Sequence, residues 1–180
     1  CDKAKEDYDK AVEEDENISD ELKQQRKDNL DAIAQQEEKI SNLNIKIHDK
    51  DSEISSMTSQ LTSDESNLAA LEESLSALEG QTSDDSEKQG EIDSKKAALQ
   101  IQIGEAKQKV QDDKDAIEKL EQDKKTLEDD LKTEEGNLRD LEKDKTTIEK
   151  SISEVCKPET KEAMDAYNSA KDNVNSVKES

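Results

Sequence analysis

The hydrophobic residues of the chain follow a repeat of seven residues over two long stretches. In the first stretch one apolar position recurs at strict intervals, at Ile33, Ile40, Ile47, Ile54, Leu61, Leu68 and Leu75. A second apolar position lies three residues after four of these, at Leu43, Met57, Leu71 and Leu78. Because a seven-residue repeat keeps both positions on one face of a helix, it predicts a coiled-coil seam with a left-handed supercoil.

The seam is interrupted once and then resumes. Residues 79–94, EGQTSDDSEKQGEIDS, contain two glycines and many small polar residues, and Ile92 is their only regular apolar position. This composition predicts a turn between a first arm at 18–78 and a second arm at 95–156. Seam positions of the second arm are Leu99, Ile103, Ala106, Val110, Ile117, Leu120, Leu127, Leu131, Leu138, Leu141, Ile148, Ile152 and Val155. A short connection makes the two arms antiparallel neighbours.

Each end of the chain carries a shorter helical pattern. Residues 1–17 have a weak apolar stripe that breaks before Ser19, a residue type suited to cap the start of the first arm. Pro158 suits the first turn of a new helix, where no backbone amide donor is needed, and residues 157–180 are amphipathic. The predicted fold class is all-α: a long antiparallel coiled-coil hairpin with short terminal helices.

Polar residues interrupt both seams and allow two interpretations. They are Arg26, Lys50 and Asp64 in the first arm, and Asp113, Lys124, Glu134 and Lys145 in the second. Polar residues at seam positions weaken packing but fix the register of the paired helices. Alternatively, their long side chains extend from the edge of a loose seam into water.

Composition and charge narrow the range of functions. The chain is 28% hydrophobic and 42% charged, has a net charge of −22, and lacks Phe and Trp. We therefore expect no thick globular core and no shielded active site, and hence no enzymatic activity. An acidic surface repels nucleic acid and attracts cations or basic proteins. No apolar run approaches the roughly 20 residues of a membrane-spanning helix, so no membrane span is expected.

Carboxylates are the most abundant chemical groups of the chain. Clusters such as Asp84 with Asp85 and Asp129 with Asp130 suit calcium, which accepts many oxygen ligands in flexible geometry. The spaced loop of an EF-hand is absent, so we expect diffuse and weak calcium binding and no tightly bound cofactor. The alternative is that each cluster is a solvated helix face. The single histidine, His48, offers no partner for a catalytic or metal-binding cluster.

The two cysteines, Cys1 and Cys156, are candidates for a disulfide. Cys156 directly follows the last seam residue, so a bond to Cys1 would clamp the open end of the hairpin. In a simple hairpin residue 20 lies opposite this region, and the bond therefore requires the N-terminal segment to fold back or bend. Pairing would indicate an oxidising compartment. Because the sequence starts at Cys1 and not at methionine, we expect a processed product or a fragment.

Three segments of the chain resemble the trichocyst matrix and granule lattice proteins of ciliate secretory granules. They are CDKAKEDYDKAVEED at the start, RKDNLDAIAQ at 26–35, and LRDLEKDKTTIEKSISEVC at 138–156. The resemblance implies a structural protein that packs with itself and with related matrix proteins in a condensed lattice of the granule lumen. It also implies discharge by regulated exocytosis, with calcium acting on the lattice. No functional residue of that family can be matched to a numbered position here.

A different class of protein fits the same sequence. A bacterial surface lipoprotein carries lipid on a first cysteine, and a coiled-coil rod then serves as a spacer or adhesin. Cys1 and the two heptad arms are compatible with that interpretation. A lipid adduct on Cys1 would distinguish this alternative from a granule matrix protein.

Overall fold

The protein is all-α, as the heptad pattern predicts. A computed structural model describes residues 1–179, which contain no β-strand. The helices within this range are α1 (Asp2–Glu14), α2 (Asp20–Glu79), α3 (Ser86–Val155) and α4 (Pro158–Glu179). Two of them are long, with 60 residues in α2 and 70 in α3.

The chain divides into two compact units. We call Cys1–Ser41 together with Lys132–Ser180 the terminal unit, and Asn42–Leu131 the hairpin unit. The terminal unit contains α1, α4 and the adjoining parts of α2 and α3. The hairpin unit contains the remaining parts of α2 and α3 and their connection.

In both units α2 and α3 run antiparallel, which confirms the predicted hairpin. In the terminal unit, Asn29 Nδ2 donates to the Leu141 carbonyl at 3.0 Å, and Gln36 Nε2 donates to the Glu134 carbonyl at 2.9 Å. Residue numbers therefore rise along α2 as they fall along α3, so the two helices are antiparallel.

The hairpin unit shows the same direction through ion pairs. Lys124 Nζ lies 2.7 Å from Asp51 Oδ1, and Lys109 Nζ lies 3.1 Å from Asp64 Oδ1. Again the residue number rises on α2 as it falls on α3, which is the antiparallel arrangement.

The connection between the long helices is shorter than predicted. The turn was expected at 79–94, but α2 extends to Glu79 and α3 begins at Ser86. Asp85 accounts for the early start, because its Oδ1 accepts from the backbone amides of Glu87 at 3.0 Å and Lys88 at 3.4 Å. Gly90 lies inside the helix, where a glycine lowers helix stability by about 1 kcal/mol without ending it.

Two predicted helix starts are confirmed. The Leu22 amide donates to Ser19 Oγ at 3.1 Å, so Ser19 caps α2 as expected. Pro158 is the first residue of α4. The N-terminal helix ends at Glu14, three residues before the predicted boundary at residue 17.

The main apolar core lies in the terminal unit. Helices α1 and α4 pack on each other there. The buried residues of this cluster are Tyr8, Val12, Ile18, Ile152, Met164 and Tyr167. Both terminal helices thus fold back onto the helix pair of this unit, and the four segments together close a core.

The hairpin unit has little fully buried apolar surface. Ile103, Ala106 and Val110 are buried, whereas seam residues such as Ile54 and Leu61 remain half-buried. Two helices alone leave one side of their seam open to water. Across residues 1–179, no helix carries an apolar stretch long enough to cross a bilayer.

Candidate functional site

The carboxylates proposed for calcium lie in two exposed places. Asp84 and Asp85 belong to the connection before α3, and Asp129 and Asp130 lie on the outer face of α3. The Asp85 carboxylate already accepts the backbone amides at the start of α3. Among the described residues, no group of three or more acidic, histidine or cysteine side chains is arranged to hold a metal ion.

The two cysteines are not paired in this structure. Cys1 is exposed and Cys156 is half-buried, and both are free thiols. Asp15 contacts the Lys157 amide at 2.8 Å, so the end of α1 lies beside Cys156. Cys1 lies at the other end of this 13-residue helix, which spans about 20 Å at 1.5 Å per residue.

The separation explains why the candidate disulfide does not form within this fold. A disulfide requires the two Cα atoms to lie within about 7 Å. The N-terminal segment does fold back, as the disulfide would require, but it runs in the direction that carries Cys1 away from Cys156. Burial, followed by the negative charge of Asp15, raises the pKa of the Cys156 thiol and favours its neutral form.

Asp15 is a buried hydrogen-bonding centre of the terminal unit. Its Oδ1 accepts from the Asn17 amide at 2.8 Å. Its Oδ2 accepts from the Lys157 amide at 2.8 Å and from the Thr160 hydroxyl at 2.7 Å. One carboxylate therefore joins the α1–α2 loop to the first turn of α4.

The hydrogen bonds to Asp15 outweigh its burial. Burial is the largest single influence and raises the pKa of the carboxyl group. The Lys157 amide, the Thr160 hydroxyl and the Asn17 amide together hold this pKa below 3.8. Asp15 is therefore ionised at neutral pH, and its charge is stabilised by fixed donors.

The only two tyrosines of the chain meet in the same core. The rings of Tyr8 and Tyr167 stack with centroids 6.0 Å apart and an interplanar angle of 21°. The Arg26 guanidinium lies 4.6 Å from the Tyr8 centroid and forms an ion pair with Asp9. Burial raises the pKa of Tyr8 to about 12, so the phenol stays protonated.

Buried amides link α2 to α3 in the terminal unit. Asn29 and Gln36 are both buried and donate to backbone carbonyls of α3. Gln36 also hydrogen-bonds to the Glu134 carboxylate, and this contact lowers the pKa of Glu134. These bonds fix the register of the two helices, because each amide reaches one specific carbonyl.

Three of the four polar seam residues of the hairpin unit find partners across the pair, whereas Lys50 binds Glu53 on its own helix. Lys124 binds Asp51, and this contact raises the pKa of Lys124. Asp64 on α2 and Asp113 on α3 are both buried and lie within hydrogen-bonding reach of each other. The predicted seam positions thus bring specific polar groups together, as the register interpretation expects.

Three of these residues were not found by sequence reasoning, although two left a signal. Extending the position of Leu43 backwards in steps of seven gives Gln36 and Asn29, which continue the seam with amides. Asp15 left no such signal. It lies outside the heptads, and its partners Lys157 and Thr160 are distant in sequence.

The surface of the molecule combines acidic faces with a partly open seam. Outside the seam positions, Ile45 and Ile101 are the most exposed large apolar residues of the hairpin unit, with 57% and 65% of their surface accessible. The side chains around the seam are charged, and the chain as a whole carries −22. The arrangement holds two helices in register and presents carboxylates and apolar edges to the surroundings.

Comparison with known proteins gives no relative from which a function can be taken. No protein-family model, no characterised protein and no solved structure matches the chain. The function must therefore be inferred from the residues of the chain and their arrangement.

Proposed function

We propose that this protein is a structural, non-catalytic component of a condensed secretory-granule matrix of the trichocyst type. It resides in the granule lumen and becomes extracellular after discharge. The observation that carries the proposal is the half-open apolar seam of the hairpin unit, flanked by strongly acidic faces. The partners are other copies of this chain and related matrix proteins.

The open seam supports lateral packing of copies. Leu61, Leu68 and Leu75 remain half-buried although they occupy seam positions. A second copy alongside would cover this surface, and each Å² of apolar surface removed from water stabilises the association by roughly 25 cal/mol. The occupant of the open seam is therefore another helix pair of the same kind.

The charge explains why packing needs cations. Copies that each carry −22 repel one another unless the charge is screened or bridged. Calcium acts through many weak contacts to exposed carboxylates on neighbouring copies, such as those of Asp84 and Asp130. Each contact has a dissociation constant of about 10⁻⁴ to 10⁻³ M, as for open sites with few fixed ligands.

The test is association at constant ionic strength. We expect calcium to promote association, measured by small-angle scattering, more strongly than magnesium or added sodium. Titration calorimetry should give many weak sites. Equivalent effects of the three cations would overturn the role of calcium.

A double variant tests the exposed apolar side chains that lie outside the seam positions. Ile45→Ser combined with Ile101→Ser removes the most exposed apolar side chains of the hairpin unit and should weaken association, with little change in urea unfolding of the monomer. The same calcium series on this variant and on the original chain makes the comparison direct. Unchanged association would contradict lateral packing through this surface.

A bacterial surface lipoprotein or adhesin spacer is the second candidate. Its support is that the Cys1 thiol is exposed and free, so that it is accessible to lipid modification. Intact-mass measurement of the natural protein decides between the two. A diacylglyceryl adduct on Cys1 supports the spacer, and an unmodified Cys1 removes it.

A further inference from the structure

Two carboxyl groups face each other inside the helix pair of the hairpin unit. Asp64 on α2 is 7% exposed and Asp113 on α3 is 5% exposed. Their side chains lie within hydrogen-bonding reach of each other. Both occupy seam positions, so that any repulsion between them acts directly on the packing of the two helices.

The surrounding groups balance one negative charge and not two. Gln60 Nε2 lies 3.1 Å from each oxygen of Asp64, and Lys109 Nζ lies 3.1 Å from Asp64 Oδ1. On the other side, Asp112 adds a further negative charge near Asp113. Asp113 Oδ2 is buried and has no hydrogen-bond partner among the described residues.

A shared proton removes the repulsion between the two carboxylates better than a metal ion would. Two carboxylates in contact repel when both are ionised, and a single shared proton removes that repulsion and supplies a hydrogen bond. Within residues 1–179 no group of three or more acidic, histidine or cysteine side chains is arranged to hold a metal ion, and a divalent cation would compete with the Lys109 ammonium already bound to Asp64. The unpartnered oxygen of Asp113 is therefore best explained as the place of a proton.

We propose that Asp64 and Asp113 form a proton-operated clasp, which shares one proton, holds α2 against α3 while that proton is bound, and weakens when the proton is lost as the pH rises. Asp64 is the acceptor, because Gln60 and Lys109 stabilise its charge. Asp113 is the donor. The proposal does not depend on the granule-matrix function, since it concerns a single chain.

The directions of the two pKa values agree with this assignment. The hydrogen bond to Asp64 raises the pKa of Asp113 above 3.8, and the hydrogen bond from Gln60 lowers the pKa of Asp64 below 3.8. The stability that Asp113 contributes is fully present below pH 3.8 and is lost as the pH rises through its raised folded-state pKa. The contribution of Asp64 is present above 3.8 and is lost only as the pH falls through its lowered pKa.

The first experiment compares two charge-matched variants in urea over a range of pH. Asp113→Asn mimics the protonated donor, and Asp115→Asn removes the same charge from an exposed site two residues away. The original chain and Asp115→Asn should both lose stability as the pH rises from 4 to 7, with the same slope. Asp113→Asn should show a shallower loss. Equal slopes for the two variants would overturn the clasp.

The second experiment observes the proton directly. Carbon-13 spectra of the aspartate carboxyl groups of the full chain should give a titration midpoint for Asp113 above 3.8. In Asp64→Asn the midpoint should shift back towards 3.8, because the negative partner is gone. A midpoint of Asp113 at the ordinary value in the original chain would refute the proposal whatever the urea data show.

Discussion

The terminal unit and the hairpin unit contain the same two long helices but bury their apolar residues to different extents. In the terminal unit, Tyr8 and Ile152 are completely inaccessible to water. In the hairpin unit, most seam residues stay half-buried, and the buried positions include the acidic pair Asp64 and Asp113. The difference follows from α1 and α4, which cover the helix pair in the terminal unit alone.

A helix pair needs further helices to close its seam. Apolar residues at heptad positions pack against one partner helix, but their other side faces water unless another element covers it. In the terminal unit, α1 and α4 cover the seam. In the proposed matrix, neighbouring copies cover the seam of the hairpin unit.

The largest expected effect comes from deleting a buried side chain. Ile152→Ala should lower the free energy of unfolding by about 2–5 kcal/mol, because it leaves a cavity in a closed core. Ile54→Ala makes the same change at a half-buried seam position of the hairpin unit and should cost less, since water fills the space. Urea unfolding of both variants measures the difference, and equal losses would contradict the contrast between the units.

The next effect tests the polar centre of the terminal unit. Asp15→Ala leaves the Lys157 amide and the Thr160 hydroxyl without their acceptor and should cost about 1.5–3 kcal/mol. The folded-state pKa of Asp15 is lowered. Its contribution to stability is therefore present above pH 3.8 and is lost as the pH falls through the folded-state pKa.

Acid unfolding gives the control for Asp15. The stability difference between the original chain and Asp15→Ala should shrink as the solution is made more acidic than pH 3.8. A difference that stays constant down to strong acid would mean that Asp15 acts by packing alone. Asp15→Asn keeps one acceptor oxygen, so its free energy of unfolding should lie between those of the original chain and Asp15→Ala.

A smaller effect is expected in the open seam. Leu61→Asp places a charge at a half-buried position of the hairpin unit and should cost about 1–3 kcal/mol, since water still reaches the new carboxylate. The loss should be smaller at acidic pH, where the new carboxyl group is neutral. An unchanged midpoint in urea would show that this face of α2 does not pack on α3.

Periodicity made the long helices predictable, because heptads report which face of a helix is buried. It could not give the end of the turn, since the cap formed by Asp85 outweighs Gly90. Nor could it give Asp15, whose distant partners are Lys157, just before α4, and Thr160 in its first turn. The candidate disulfide failed for a related reason: the bond required the N-terminal segment to fold back, but the sequence did not show which end of α1 meets Cys156.

The smallest expected effect concerns His48, the single histidine. Its side chain is exposed on α2, so His48→Ala should change the free energy of unfolding by less than about 0.5 kcal/mol. The pH dependence of stability in His48→Ala should therefore match that of the original chain. If this variant abolished the dependence, the imidazole would replace the acidic pair as the proton-sensing group of the hairpin unit.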